Sequence, residues 1–287
     1  MNSSKVVTLQ QAQRQSKSLL CNSLCFARNM CAEYPVHIHD CYELELLLTG
    51  EAVHWMNGNR HEIRPGSILL VTPDDFHSYS TTKSLCFFTI KIGKEDCTPG
   101  VAAFLKKQKK ALLAQLGGAE YETIKNAFLQ LETEFKEKHV FYEERIDALL
   151  VLILTTLYRH RLSGLQEALT PVAHQTIHNA LAYIHQHMNE EISLTQVAGH
   201  CGLTPCYFSS LFRKAVGCGF KEYLLNQKME LACQRLVVTN DSIIDVAFQA
   251  GFGSVSTFQR VFKQKKGVSS SQYRHLIRGQ IGNETIL

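Results

Sequence analysis

The sequence predicts an α+β protein that begins with an antiparallel β-barrel, continues with a helical segment and ends with an all-α domain. Residues of about 20–92 form short β-rich runs between turn signals, residues of about 100–163 follow a helical period, and residues of about 175–278 are helical and contain an internal repeat. At 287 residues the chain is long enough for two domains. We predict a first domain over residues 1–163, a linker over 164–174 and a second domain over 175–287.

The β-region has the pattern of an antiparallel structure. Residues 42–48, 67–72 and 85–92 are β-rich runs, and many short strands at regular spacing are typical of a barrel or sandwich. Asn57 and Gly58 predict a tight hairpin turn, because both residue types tolerate a positive φ.

The helical segment that follows carries a wide apolar stripe. Within residues 142–162 the stripe runs from Ile146 to Leu157 at helical spacing. It predicts a homodimer in which residues 142–160 form the contact. Burial against the barrel of the same chain also explains the stripe, and both interpretations stay open.

The composition excludes several protein classes. With 45% hydrophobic and 20% charged residues the chain is globular rather than disordered or collagen-like. The longest apolar run, residues 148–154, is too short to span a bilayer, and residues 1–15 lack the apolar segment of a secretion signal. We therefore expect a cytoplasmic protein without a membrane partner. Its ten cysteines are expected to be free thiols, and a redox or metal role of Cys21, Cys25 and Cys31 is the alternative.

The positive charge lies at the C-terminal end. The whole chain has 30 basic and 26 acidic residues, and residues 174–287 hold 11 basic and 7 acidic residues, so the first 173 residues are neutral overall. A local basic excess is a weak indication of a nucleic-acid partner.

An internal repeat divides the C-terminal region into two units. Four residues of the first unit recur 49 positions later, and four more recur 50 positions later. The first unit has Ser193, Val197, Ala198, Gly202, Phe208, Phe212, Gly217 and Tyr223, and the second has Ser242, Val246, Ala247, Gly251, Phe258, Phe262, Gly267 and Tyr273.

Each unit is predicted to be a helix, a tight turn and a second helix. Ser193 and Gln196 form a capping box before the first helix, Gly202 supplies the turn, and Thr204 with Pro205 begins the second helix. This is the pattern of a helix-turn-helix, whose second helix enters the major groove of DNA. Two purely structural α-hairpins are the alternative. The candidate DNA contacts lie on the polar faces of the second helices: Cys206, Ser209, Ser210, Arg213, Ser256, Thr257, Gln259, Arg260 and Lys263.

The residues of the repeat also carry a family resemblance. Residues 193–217 read Ser-Leu-x-x-Val-Ala-x-x-x-Gly-x-Thr-x-x-Tyr-Phe-Ser-x-Leu-Phe-Arg-Lys-x-x-Gly, and residues 242–267 read Ser-Ile-x-x-Val-Ala-x-x-x-Gly-Phe-x-Ser-x-Ser-x-Phe-x-Arg-x-Phe-Lys-x-x-x-Gly. This resembles the DNA-binding domain of the AraC/XylS family over residues 175–276. The resemblance implies that the chain binds adjacent major grooves of double-stranded DNA and regulates transcription, most often as an activator, with RNA polymerase as a further partner. Ser210 stands where arginine is common in that family, and Thr257 where an aromatic residue is common.

The β-region contains a motif of histidine and glutamate. It reads His37-x-His39-x-x-x-Glu43, and His77 follows in a later run. Because side chains alternate along a strand, His37, His39 and Glu43 are expected on one face, with His77 supplied by a neighbouring strand. Two or three imidazoles and a carboxylate can bind zinc, iron, manganese or nickel. The alternative is a metal-free polar pocket.

The same motif resembles that of the cupins, so the predicted barrel is cupin-like. In sensors of the AraC/XylS family this resemblance implies a small-molecule effector, such as a carbohydrate or related metabolite, bound without a metal or other cofactor. The ligand-binding candidates are His37, His39, Glu43, Trp55 and His77. We predict a regulator and not an enzyme. The alternatives are a metal-dependent cupin enzyme or metal sensor joined to a DNA-binding domain, and a barrel that serves only to dimerise.

Overall fold

The structure is a computed structural model that describes residues 24–28, 33–81, 85–93, 99–108, 110–162, 169–188 and 190–284. The chain divides into two compact units, one formed mainly by residues 38–167 and the other mainly by residues 168–287. Cys21 and Cys31 lie outside the described residues, so their role stays a prediction. Cys41, Cys201 and Cys206 are free thiols in the part of the chain that the structure describes.

The first unit contains two β-sheets, and the prediction of an antiparallel β-domain is confirmed. The sheets have the strand orders β1-β8-β3-β6-β9 and β2-β7-β4-β5, and Asn57 and Gly58 turn between β4 and β5 with φ values of 53° and 80°. The strands are β1 Leu24–Arg28, β2 Glu33–Ile38, β3 Tyr42–Thr49, β4 Ala52–Met56, β5 Asn59–Ile63, β6 Ser67–Val71, β7 Phe76–Ser80, β8 Cys86–Ile92 and β9 Leu112–Gln115.

Strand β3 shows how the sheets enclose an interior. Leu44 and Leu46 point to the outer side of the first sheet, where they join a core formed with helices. Leu47 points the other way and packs with Ile63 and Tyr79 of the second sheet. Because side chains alternate along a strand, Glu43 and Glu45 share the inward face with Leu47.

Three helices cover the outer face of the first sheet: α1 Pro99–Lys107, α2 Gly118–Glu137 and α3 Tyr142–His160. The stripe of α3 from Ile146 to Leu157 is buried in the same core as Phe128 of α2 and Phe88 of β8. The structure therefore supports the alternative explanation of this stripe, which is burial against the sheet of its own chain. A dimer contact within residues 142–160 stays a prediction.

The connection between α1 and α2 departs from the helical period predicted over about residues 100–163. Leu112–Gln115 is the edge strand β9, which pairs with β6 from Ser67 opposite Gln115 to Leu70 opposite Leu112. Two leucines, an alanine and a glutamine favour a helix by their intrinsic propensity. Pairing with β6, which is distant in the sequence, makes this segment a strand.

Seven helices make up the described part of the second unit: α4 Pro171–Gln186, α5 Leu194–His200, α6 Pro205–Val216, α7 Phe220–Val238, α8 Ile243–Gln249, α9 Val255–Lys266 and α10 Ser270–Glu284. The start of α4 corrects the predicted linker over 164–174. Thr170 accepts a hydrogen bond from the Ala173 backbone N–H, and Pro171 lies in the first turn, where a missing N–H costs no helical hydrogen bond. Pro171 is thus a helix start, and residues 163–168 lie outside the described residues. No helix in the described ranges is long and apolar enough to cross a membrane.

Helix α7 belongs to the cores of both repeat units. Near its start, Phe220 and Tyr223 pack edge-on against Phe212 of α6. Further along, Met229 and Leu236 are buried in the core that holds Phe258 and Phe262 of α9. The last carbonyls of α7 accept hydrogen bonds from two arginines of α10, Arg274 and Arg278.

Candidate functional site

The structure brings four of the five predicted ligand-binding residues together inside the β-domain. His39 follows β2, Glu43 lies on β3 and His77 lies on β7. The Nε2 atom of His39 is 3.0 Å from Oε2 of Glu43 and 3.0 Å from Nε2 of His77, and His77 Nε2 is 3.5 Å from the same Glu43 oxygen. With His37, all four side chains offer a ligand atom within 4.8 Å of the others. We call these four residues the histidine–glutamate cluster.

Further contacts hold the outer atoms of this cluster. His37 Nδ1 is 2.9 Å from the carbonyl oxygen of Pro35. His77 Nδ1 is 3.1 Å from Nε2 of His54, which is fully buried on β4. Lys91 Nζ is 3.5 Å from the second oxygen of Glu43. The ligand atoms of the cluster therefore face one another, while Nδ1 of His37, Nδ1 of His77 and the second oxygen of Glu43 contact the surrounding protein.

Glu43 is a buried carboxylate. Burial alone would raise its pKa, but the charges of His39, Lys91 and His77 and a hydrogen bond with His39 hold the pKa well below the usual value. The side chain therefore presents a negative charge to the cluster at neutral pH.

Next to the cluster lies a second polar group that the sequence argument missed. The Tyr79 hydroxyl donates a hydrogen bond to Glu45, and the Thr89 hydroxyl donates to the other Glu45 oxygen at 3.3 Å. Burial, together with the charge of Glu43, raises the pKa of Glu45 to about 8, so this side chain is mainly protonated at neutral pH. The alternation of β3 was the available signal, because it places residues 43 and 45 on one face.

The structure does not bring Trp55 to the cluster. Trp55 is 38% exposed, while its neighbour His54 is completely buried and stacks on Tyr79 with ring centroids 4.5 Å apart. Adjacent residues of a strand point to opposite faces, so the prediction of Trp55 as a pocket residue is corrected to His54. Burial lowers the pKa of His54 to about 3, which keeps the ring neutral. Its Nδ1 is buried and has no hydrogen-bond partner among the described residues.

The second unit contains the two predicted helix-turn-helix arrangements. The capping box of Ser193 and Gln196 is present with both hydrogen bonds, and Thr204 accepts from the backbone N–H of Tyr207 at the start of α6. In the second helix-turn-helix, the Ser254 hydroxyl accepts a hydrogen bond from the backbone N–H of Thr257 at the start of α9. These caps fix where each second helix begins.

All nine predicted DNA-contact residues are exposed on α6 or α9. Phe208 and Phe258 are fully buried on the opposite faces, so the polar faces point away from the cores. The sequence argument did not select Tyr207, which is 58% exposed beside Ser210 on α6. Its spacing of three residues from Ser210 was the available signal.

The two second helices differ in charge. Helix α6 carries Arg213 and Lys214, while α9 carries four basic residues, and neither has an acidic residue. Exposed cations and amides on a helix that can enter a groove are suited to contact phosphates and base edges.

Comparison with known families agrees with both units. Residues 23–154 match the family model of an AraC-like ligand binding domain, and residues 197–275 match that of a helix-turn-helix domain. Together the two matches span most of the chain. The chain belongs to the AraC family. As a member of that family it is a DNA-binding transcription regulator with an N-terminal ligand-binding domain.

Two relatives are similar to this AraC-family protein over most of its length. The HTH-type transcriptional activator RhaS of Enterobacter sp. (strain 638) is 24% identical over 251 residues, which cover 85% of this chain and 88% of that protein. The HTH-type transcriptional activator RhaR of Shigella dysenteriae serotype 1 is 24% identical over 262 residues, which cover 88% and 90%. A crystal structure of an apo ToxT variant from Vibrio cholerae has a TM-score of 0.50 at 14% identity and covers 89% of this chain and 99% of that one. The chain therefore shares the fold of that structure over 89% of its length.

Proposed function

We propose that this AraC-family protein is a transcription activator controlled by a carbohydrate or a related polyhydroxylated metabolite. The effector binds the polar interior of the β-domain and changes how the second unit binds DNA. One observation carries the effector assignment: His54 Nδ1 is a buried polar atom without a hydrogen-bond partner among the described residues. The same ring contacts His77, which lies 3.5 Å from the buried Glu43 carboxylate. The names of the relatives RhaS and RhaR, both transcriptional activators, support the direction of regulation.

The chemistry of the interior suits hydroxyl groups. A hydroxyl both donates and accepts hydrogen bonds. Ionised Glu43 accepts, Lys91 donates, and neutral His54 can do either through Nδ1. Since buried polar groups are costly unless they are paired, a ligand with several hydroxyls is stabilised here more than an apolar one.

For the second unit we propose that α6 and α9 enter successive major grooves of double-stranded DNA. Arg260 is the residue best suited to read a guanine, because its guanidinium can donate two hydrogen bonds to O6 and N7. Lys263 is suited to a phosphate contact.

We further propose a homodimer that acts in the cytoplasm and contacts RNA polymerase. With the stripe of α3 buried, the exposed large hydrophobic residues on the two long helices include Leu129 of α2 and Leu152 and Tyr158 of α3, which are 42%, 42% and 43% exposed. They support a dimer contact on that outer side. The β-domain is proposed to bind its effector without converting it, since the similar proteins are named as regulators.

The effector proposal is tested by a thermal-shift screen of the full-length protein against monosaccharides and related metabolites. A ligand that binds only the folded state stabilises it by RT ln(1 + L/Kd), where L is the free ligand concentration, so Tm rises with the logarithm of the ligand concentration once that concentration exceeds Kd. We expect at least one compound to raise Tm and to change the affinity for an operator selected from a random duplex pool. The matched variant His54→Phe keeps a ring but removes the buried nitrogen, and it should lose the response. If no compound shifts Tm while operator binding is intact, the β-domain is not a sensor of this class.

The DNA assignment is tested with Arg260→Ala on the selected operator. We expect a loss of about 1–3 kcal/mol in specific binding and little change on random DNA, because a base contact carries the discrimination. Gln264→Ala, an exposed residue of the same helix outside the nine predicted contacts, is the control and should change little. An equal loss on both DNAs would make Arg260 a phosphate contact.

A further inference from the structure

We propose that Lys228 of α7 is a positioning residue for DNA binding. It joins the turn of the second helix-turn-helix to the first helix-turn-helix, and it thereby holds α6 and α9 in one relative orientation. The inference deepens the proposed function and rests on it, since the relative orientation matters only if both helices contact DNA. Lys228 acts through Gly251 and not by touching the DNA.

Three parts of the chain meet at Gly251, in the turn between α8 and α9. The Lys228 ammonium group donates a hydrogen bond to the Gly251 carbonyl oxygen. The chain after α4 is equally close, because a Cβ added at Gly251 would lie 2.6 Å from the carbonyl oxygen of the buried Met188. Helix α4 packs against α5 and α6. The turn of the second helix-turn-helix therefore lies directly against the first, and we call Lys228, Gly251 and Met188 the joint.

This close approach is not a requirement of a helix-turn-helix turn. Gly202 occupies the same place in the first turn with a similar positive φ, +67° against +77° at Gly251. A Cβ at Gly202 would meet nothing within 4 Å. The positive φ explains a glycine at both positions, and only the joint explains the crowding at Gly251.

The two repeats also use the position of Lys228 differently. With the 50-residue shift of the repeat, Lys228 corresponds to Arg278 of α10. Arg278 donates hydrogen bonds to the carbonyl oxygens of Val237 and Thr239, which lie just before its own helix-turn-helix. Lys228 instead contacts the turn of the other helix-turn-helix. The same position therefore carries a cation in both repeats, and in the first repeat that cation bridges the two.

The surroundings of Lys228 make this bridge strong. The side chain is half-buried, and a hydrogen bond from a charged donor is roughly twice as strong as one between neutral groups. Burial lowers the pKa of Lys228, and the charge of Glu191, in the connection between α4 and α5, opposes that shift. A rigid joint presents α9 to its groove once α6 is bound, so the second contact needs little further ordering. Without the ammonium group, the second helix-turn-helix could tilt about the end of α7.

The test compares the full-length wild type with Lys228→Met, which keeps most of the stem and removes the charge. Three duplexes are used: the selected operator and two versions in which the segment contacted by α6 or by α9, located by footprinting, is scrambled. We expect Lys228→Met to bind the whole operator about 10-fold more weakly and each single-segment duplex within about twofold of the wild type. Lys228→Arg keeps a charged donor and should recover most of the loss. Lys221→Met, at an exposed lysine of the same helix, is the matched control and should bind all three duplexes as the wild type does.

A second pair of variants tests the joint from its other side. Gly251→Ala places a methyl group against Met188 and should give the same pattern of loss, whereas Gly202→Ala, in open space, should not. Circular dichroism verifies that each variant is folded at the temperature of the binding assay.

Two outcomes overturn the role of Lys228. An equal loss on all three duplexes would mean that Lys228 supports the fold in general or contacts DNA itself, and unchanged binding to the whole operator would mean that the joint positions nothing. Failure of the proposed function looks different, because the wild type would then bind the operator no more tightly than its scrambled versions.

Discussion

The two helix-turn-helix units share a scaffold and differ at the surface. Both have a serine or threonine cap before the second helix, and both second helices end at a glycine with positive φ, Gly217 and Gly267. Both bury two phenylalanines at equivalent positions. The exposed faces differ, since α6 has two basic residues and α9 has four.

This difference separates what the fold requires from what DNA binding requires. The residues repeated between the units are the ones that cap helices, turn the chain or fill a core. The positions that diverge, such as Ser210 and Arg260, are exposed. We therefore expect core substitutions to lower the free energy of unfolding by similar amounts in the two helix-turn-helix units. Surface substitutions are expected to change DNA binding differently in the two units.

The largest expected effect tests the equivalence of the cores. Phe208→Ala and Phe258→Ala should each lower the free energy of unfolding by about 3–5 kcal/mol, because each removes a fully buried ring and leaves a cavity. Urea unfolding followed by circular dichroism measures this, with the exposed Gln259→Ala as a control near zero. A cost below roughly 1 kcal/mol for either phenylalanine would contradict the comparison.

A smaller effect separates the two turns. Gly202 and Gly251 have φ values of +67° and +77°, so alanine costs roughly 1–2 kcal/mol at either position. At Gly251 a Cβ would also lie 2.6 Å from the Met188 carbonyl oxygen, whereas at Gly202 it would meet nothing within 4 Å. We expect Gly251→Ala to be more destabilising than Gly202→Ala by about 1–3 kcal/mol in the same unfolding assay. Equal costs would show that the loop of Met188 moves aside.

The smallest effect concerns the surface. Ser210→Arg gives α6 the charge that α9 has at Arg260, and it should steepen the dependence of log K on log salt by about 0.9 if the new side chain reaches a phosphate. Ser210→Gln, which adds length without charge, is the control and should leave the slope unchanged. An unchanged slope with Ser210→Arg would indicate that this face of α6 lies away from the DNA backbone.

Local sequence patterns predicted much of the helical C-terminal unit, which is formed mainly by residues 168–287. The capping box at Ser193, the start of α6 after Thr204 and the buried Phe208 and Phe258 all depend on residues a few positions apart, and all are confirmed. Features that depend on distant partners were not predictable in this way. Strand β9 exists because it pairs with β6, and the stripe of α3 is buried because the sheet lies against it.

The β-domain site shows the same limit. Spacing along the chain predicted that His37, His39, Glu43 and His77 belong together, and the structure brings them within reach of one another. Spacing could not decide whether His54 or Trp55 faces inward, since alternation fixes only that they face opposite ways. That choice is made by the pairing of β4 with β7, which places His54 opposite Tyr79.

Helix α7 has a consequence for the DNA sequence that this protein can recognise. Because one continuous helix contributes to both cores, it fixes the separation between α6 and α9. An operator must then present its two contact segments at a single separation along the duplex. Inserting one base pair between those segments would rotate one relative to the other by about 35° around the duplex axis. Since α7 holds α6 and α9 at a fixed separation, the two helices could not both keep their contacts.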